Sequence, residues 1–446
     1  MKGALMTLRL FALFVLCSLA SADAKELQAG AASVELHAPL GINMAGYGAR
    51  VGVSKGVLDP LHAKVLVFEG KDRGVALVTL DLVGVLPVPQ LDQIRARVKS
   101  STGIEDVIFN ASHTHSGPLF MDQPPDWQSQ MASDIAAGIE RAWKARRTAR
   151  IGIGTGSVRI GHNRLYDMSE GAGKMLWRNE TRIPTAPVDP TVMVLHIDGE
   201  DFSPIAVLVN YACHAVVLGP ENLQYSADYP GEMRRVVEAA NPGAVCLFVQ
   251  GGAGNINPYY DKTPIIEDAV ALMRETGRTL ASEVLRVDAG IKPHAVSDTD
   301  LRISRDTLQF KARFNQEKVL AATDPQHLTL SGRLHIEAAT RGPYEAPVTT
   351  MLLGREFAYV GVPCEIFVDF QMNIRERVPD FPIIFGGYTN KNLGYVPTIK
   401  AAVDGGYGAS QIGSYLEVGA GNRMIDTAII RLATWTGRLH PKPNLP

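Results

Sequence analysis

The sequence has no surplus of basic residues: 44 Lys+Arg stand against 46 Asp+Glu, a formal net charge of −2. Nothing there neutralises a run of phosphates, so nucleic-acid binding is not expected. No repeat with a period of about 20–50 residues occurs, which argues against a solenoid or propeller. No apolar run after the N-terminal segment reaches ~18 residues, so no membrane-spanning helix is expected there. The one Gly-x-Ser-x-Gly run, Gly52–Gly56, follows no strand-length apolar run, so it is not read as the nucleophile elbow of a serine α/β-hydrolase. The glycine-rich turn in Val249–Pro258 lacks both the Gly-x-Gly-x-x-Gly spacing and a following Lys-Ser/Thr, so it is not read as a nucleotide loop. Cysteine is scarce. Beyond Cys17 in the N-terminal apolar run, Cys213, Cys246 and Cys364 remain. An odd count in apolar, strand-like surroundings predicts buried free thiols rather than a disulfide framework.

The rest of the composition is that of a globular protein, with 46% apolar and 20% charged residues. Lys2 and Arg9 precede the apolar run Leu10–Ala20, and the small residues Ala20-Ser21-Ala22-Asp23-Ala24 follow. This pattern predicts a signal peptide over residues 1–24 and export to the periplasm or the exterior. Residues 25–446 are read as one catalytic domain, with a lobe boundary near 290–300. Strand-length apolar runs recur at Ala63–Phe68, Val75–Leu82, Val107–Ala111, Val192–Ile197, Ile205–Tyr211, Ala244–Gln250, Thr350–Leu353 and Ala358–Val362. Several are apolar at successive positions, which suits strands covered on both faces. Helical periodicity marks Val88–Ser100, Trp127–Arg147, Ile265–Val287, Glu365–Arg377 and Met424–Arg438. The expected fold is α/β: mixed layered β-sheets with flanking helices, and a site at the carboxyl ends of strands.

The chemistry-bearing residues stand where those strands run out. Val107–Pro118 (VIFNASHTHSGP) leads a buried strand into His113 and His115. Residues i and i+2 of a strand share a face, so both imidazoles are expected to emerge together. They can chelate one metal, supply one ligand and one acid–base group, or form a structural pair. Ile205–His214 repeats the pattern with one histidine, followed by Asp228 in a loop. In Tyr359–Glu365 a strand ends, Pro363 turns the chain and Glu365 is expected to open a helix, as a cap or as a ligand. Gly386–Ser410 carries Tyr388, Tyr395 and Tyr407 among glycines, which serve as site residues or as loop packing.

Taken in order, these segments resemble the N-terminal catalytic domain of the neutral, non-lysosomal ceramidases. The resemblance rests on HTHSGP, the strand ending in His214, the Gly254–Pro258 turn, the Val-Pro-x-Glu strand end and the Gly-Tyr-Val-Pro-Thr segment. Asn163-Arg164, Gly46-Tyr47 and Pro60-Leu61-His62-Ala63 add to it. It implies one zinc ion per chain held by His113, His214, Glu365 and Tyr395. It implies that His115 handles the proton of the attacking water and of the leaving amine. It also implies that Arg164 and Tyr407 donate to the carbonyl oxygen as charge develops there. Asp228 is expected to orient a histidine.

The chain departs from the family at Asn257, where ceramidases have serine, and at Asn255, where they have aspartate. Asparagine cannot act as a nucleophile but can bind substrate through its amide. The family's additional C-terminal β-sandwich domain is not expected in residues 25–446, which are read as the catalytic domain alone. The expected activity is therefore an exported zinc-dependent amidohydrolase, with ceramide or a related N-acyl lipid as substrate and peripheral lipid contact. A zinc hydrolase of another soluble amide or ester is the alternative, as is an inactive metal- or ligand-binding relative.

Overall fold

The doubly apolar runs form strands of two sheets that pack face to face. The structure is a computed structural model describing residues 25–120, 125–167, 174–321, 336–337, 340–410 and 413–439. The expected signal peptide lies outside the described residues.

The larger sheet has nine strands. Its main strands are β1 (Gln28–Glu35), β2 (His62–Glu69), β3 (Gly74–Leu80), β4 (Asp106–Ala111), β5 (Arg147–Ser157), β6 (Thr191–Gly199), β7 (Pro204–Tyr211) and β8 (Val245–Gln250). They run in the order β8-β7-β6-β5-β1-β2-β3-β4, and His294–Ala295 adds a short strand on β5. The second sheet runs β9 (Leu301–Phe310), β10 (Tyr344–Leu353), β11 (Phe357–Gly361) and β12 (Ile383–Gly386). Between the sheets lie Phe68, Leu77, Ile108, Leu208 and Leu247 from one and Met351, Phe357, Tyr359 and Ile384 from the other. Burial of each such side chain contributes roughly 1.5–3 kcal/mol.

The alternate residues of the same strands face outward onto helices. Helices α1 (Val88–Thr102) and α2 (Asp126–Lys144) cover Val65, Val67, Val78 and Phe109. Helices α3 (Asp228–Ala240) and α4 (Ala269–Asp288) cover Val194, Val207 and Phe248. On the far side, α5 (Val368–Arg377) and α6 (Ala420–Trp435) cover Val348, Val360 and Ile383. The result is a four-layer helix–sheet–sheet–helix arrangement, which is why the strands are apolar on both faces.

Parallel pairing joins β3 to β4, β7 to β8 and β11 to β12, with α1, α3 and α5 as the respective crossovers. Buried asparagines stitch the sheets together at the carboxyl ends of these strands. Asn110 Nδ2 donates to Gly387 O at 2.6 Å, and its Oδ1 accepts from Gln250 N at 2.9 Å. Asn210 Nδ2 donates to Phe385 O at 2.8 Å, and its Oδ1 accepts from Phe385 N at 3.0 Å.

Strands β1, β5 and β9 carry no strong apolar run and were not among the expected strands. In β5 the reason is steric. A Cβ on Gly152, Gly154 or Gly156 would collide with Ile291, Val287 or Glu283, so glycine lets α4 and the segment after it lie directly on the strand.

Candidate metal centre and active site

The chain leaving β4 builds the first part of the site. Ser112 N donates to Leu80 O and His113 N to Leu82 O, after which His113 adopts a left-handed backbone with φ of 63°. His115 N then reaches Ala215 O, on the loop after β7. The expectation that strand pleating aligns the two imidazoles is therefore corrected: the strand ends at Ala111, and a turn brings the rings together. Their Nε2 atoms stand 3.0 Å apart.

His214 enters from the loop after β7, and its ring lies 4.9 Å from that of His113. One ring nitrogen from each of His113, His115 and His214 falls within 4.8 Å of the others, a group that could hold a metal ion. Glu365 Oε2 lies 3.3 Å from His113 Nε2 and 3.5 Å from His214 Nε2. Behind the rings, His113 Nδ1 meets Val83 O at 2.5 Å and His214 Nδ1 meets Ile256 O at 3.0 Å. A main-chain carbonyl accepts only from N–H, so these contacts put the proton on Nδ1 and leave an Nε2 lone pair facing inward. His214 Nε2 and Glu365 Oε2 are buried without a hydrogen-bond partner. Two inward lone pairs and a carboxylate oxygen at one point form a donor set that fits a divalent metal.

The electrostatics agree with that arrangement. Burial holds His115 well below the ordinary histidine range, and the neighbouring His113 and His214 push it further down. Burial likewise brings His214 down to about 4. Burial alone would raise Glu365, but His113 and His214 hold it well below the usual carboxylate range. Near neutral pH the site therefore presents uncharged imidazoles at His115 and His214 and an ionised carboxylate at Glu365.

Glu365 does not open a helix, as the sequence had suggested. It lies in the short strand Glu365–Ile366, paired in parallel with Tyr395–Val396, so Glu365 and Tyr395 are register partners. Helix α5 begins only at Val368, and the Glu365 N–H donates to Gly394 O. Tyr395 is buried, with Tyr407 beside it at 5.4 Å between ring centroids. The Arg164 guanidinium lies 5.3 Å from the Tyr395 ring centre and 4.9 Å from that of Tyr407. It donates to Gly254 O at 2.6 Å and to Asn257 Oδ1 at 3.1 Å. Asn257 in turn donates from Nδ2 to Asp261 at 2.8 Å, and Asp261 accepts from Lys262 at 2.5 Å. Asn257 is fully buried, with both ends of its amide engaged between Arg164 and Asp261.

The structure thus brings His113, His115, His214, Glu365, Tyr395, Tyr407, Arg164 and Asn257 into one neighbourhood. Asp228 lies apart from the imidazoles. Its carboxylate accepts from the N–H groups of Val217, Leu218 and Tyr229, so it shapes the loop after His214.

Sequence reasoning missed Gln250 and Trp177 and assigned no role in the site to Gly46 or Tyr47. Gln250, at the end of β8, donates from Nε2 to Ser112 O at 2.9 Å and to Cys213 O at 2.7 Å. Those carbonyls immediately precede His113 and His214, so one buried amide holds both histidine turns. Its only signal was a polar residue closing an apolar strand. Tyr388, read mainly as loop packing, stacks on His113 at 4.2 Å. Trp177 packs on Tyr407 at 5.3 Å and beneath the Lys262 ammonium at 4.2 Å. Gly46 presses on His115: a Cβ there would lie 2.4 Å from the ring. Tyr47 meets that ring edge-on at 4.7 Å.

A cavity of about 580 Å³ opens onto this centre, lined by His113, His115, Glu365, Tyr395, Tyr407 and Arg50 among others. That volume lies in the range of small-molecule sites, about 300–1,000 Å³. Among the described residues, no helix is long and apolar enough to cross a membrane. The cysteines Cys213, Cys246 and Cys364 are free and buried.

No protein-family model matches the sequence, and no curated protein matches it. Solved structures do match. The neutral ceramidase from Pseudomonas aeruginosa superposes with a TM-score of 0.73 at 18% identity, over 94% of this chain and 76% of that one. A ceramidase complexed with C2 matches with a TM-score of 0.72 at 17% identity, over 94% of this chain and 77% of that one. Across nearly all of its length, the chain has the fold of the neutral ceramidases.

Proposed function

We propose that the protein is an exported, zinc-dependent amidohydrolase that cleaves an N-acyl bond with water, with ceramide or a related N-acyl lipid as its leading substrate class. The observation that carries this reading is the donor set: inward Nε2 atoms of His113 and His214 meeting Glu365 Oε2, both imidazoles anchored through Nδ1. The likeness to solved ceramidases supplies the reaction class.

In this reading His113, His214 and Glu365 hold the ion, with Tyr395 beside Glu365 as the fourth protein ligand. Bound there, zinc supplies a water acidified toward neutral pH and polarises the substrate carbonyl. His115 is neutral, buried and next to that position, so it can accept the proton of the attacking water and return it to the leaving nitrogen. Arg164 stays charged and has its Nε free of any hydrogen-bond partner. With Tyr407 it faces the developing oxyanion, a term of about 3–4 kcal/mol per donor. Asn257 serves this step indirectly, by holding Arg164 in place rather than by attack or acyl transfer.

The test is release of free amine from a short-chain ceramide and from a panel of N-acyl amides, with and without a chelator. Chelator-sensitive release supports the reading. A metal-loaded protein that hydrolyses esters only, or none of the panel, contradicts it.

A further inference from the structure

Arg50 lines the same cavity as His113, His115 and Glu365. It donates to Ala45 O and to His115 O, each at 2.6 Å. Those contacts use two of the five N–H groups of the guanidinium. Its Nε is buried with no hydrogen-bond partner, and no carboxylate lies within ion-pair distance of it among the described residues. The Tyr47 ring, 4.9 Å away, offers only a cation–π contact. A neutral amide side chain could pin two carbonyls equally well. A half-buried cation without a counter-ion, facing a catalytic cavity, is instead arranged for an anion that arrives with the ligand.

The position of Arg50 narrows the ligand. It is bonded to the main chain of His115, the residue that returns a proton to the leaving nitrogen in the reading above, on which this inference rests. The anion it meets must therefore lie on the amine side, a few bonds from the scissile amide. A carboxylate one carbon from the amide nitrogen meets that condition. The aliphatic side chains among its described lining residues are Met44, Ala45, Val83 and Leu119. That suits the start of one acyl chain better than two.

We propose that Arg50 forms a carboxylate subsite and that the preferred substrate is a single-chain N-acyl amino acid. Water adds to the acyl carbon, the C–N bond breaks, and a fatty acid and a free amino acid leave. The amino-acid nitrogen takes its proton from His115, and no co-reactant beyond water is consumed.

The experiment compares kcat/KM of the metal-loaded protein on N-lauroylglycine, N-lauroylethanolamine and a short-chain ceramide. The expected result is a preference of about tenfold or more for the carboxylate substrate over the ethanolamide, carried by KM. Arg50→Gln should bring that ratio close to one, and Arg50→Lys should retain part of it. Equal kcat/KM on the two lauroyl amides, or a ratio unchanged in Arg50→Gln, overturns the subsite while leaving amide hydrolysis standing. Cleavage of ceramide alone has the same consequence. Failure on all three amides overturns the amidohydrolase reading as well. The wild-type comparison decides the matter even if a variant does not fold.

Discussion

His113 and His115 hold their Nε2 atoms 3.0 Å apart, yet their Nδ1 atoms differ. His113 Nδ1 is fixed on Val83 O, whereas His115 Nδ1 is buried with no partner. An anchored imidazole suits a permanent ligand, and an unanchored one can change protonation state during turnover. His113→Ala is therefore expected to lose bound metal and turnover together. His115→Ala should keep its metal while turnover falls about 10²–10⁴-fold. Metal analysis beside single-turnover rates checks both. Loss of metal in His115→Ala would make His115 a ligand instead.

Arg164 and Asn257 form the second prediction. Arg164→Ala should lower kcat/KM about 10²–10³-fold, mostly in kcat, because the lost donor acts on charge that develops in the transition state. Asn257→Ala leaves Arg164 and Asp261 each short of a buried partner, a loss of about 1–3 kcal/mol in stability. It should lower kcat/KM less than Arg164→Ala does, since Gly254 O still holds the guanidinium. Equal effects of the two variants would assign Asn257 a direct role on the substrate.

A third prediction concerns stability close to the site. Asp81 follows β3 and binds Arg234 of α3 through both oxygens, at 2.7 and 2.6 Å, with both side chains buried. The same carboxylate accepts from His62 N at 2.8 Å. Asp81→Ala strands the Arg234 charge in the interior, so unfolding free energy should fall by about 3–5 kcal/mol. Urea denaturation measures it. A loss under about 1 kcal/mol, the scale of exposed pairs, would show that water reaches Arg234.

Away from the site, His196 sits between Asp288 at 2.6 Å and Asp198 at 2.8 Å. Burial pulls its pKa down, but hydrogen bonds and charge from Asp288 and Asp198 outweigh burial and raise it above the ordinary value. The folded state thus holds this proton more tightly than the unfolded chain. That stabilisation is complete below about pH 6.5 and is lost as pH rises through the folded pKa. The stability gap between wild type and His196→Asn should be larger near pH 6 than near pH 9. A gap independent of pH would mean that His196 does not titrate across this range.

Much of this was legible in the sequence for a physical reason. Strands such as β7 and β8 are buried on both faces, so their apolar runs are unbroken, and the first polar residues after them mark where they meet the site. His113, His214 and Glu365 follow strands in that way. What stayed hidden depends on contacts distant in sequence or on backbone geometry. The left-handed turn at His113 has no residue signature, since glycine would be the usual occupant. The strand β5 hides because its glycines serve packing against α4. Gln250 and Asn110 gain meaning only once the two sheets meet. Arg50 is remote in sequence from His115, and nothing in its own surroundings announces the contact.

The central claim is that amide hydrolysis depends on a metal held by His113, His214 and Glu365. The most direct measurement strips the protein with a chelator, confirms the loss by metal analysis, and titrates zinc back while following amine release from an N-acyl amide. The account predicts no turnover in the stripped protein and activity rising linearly to a break at one zinc per chain. Undiminished hydrolysis by metal-free protein would contradict it.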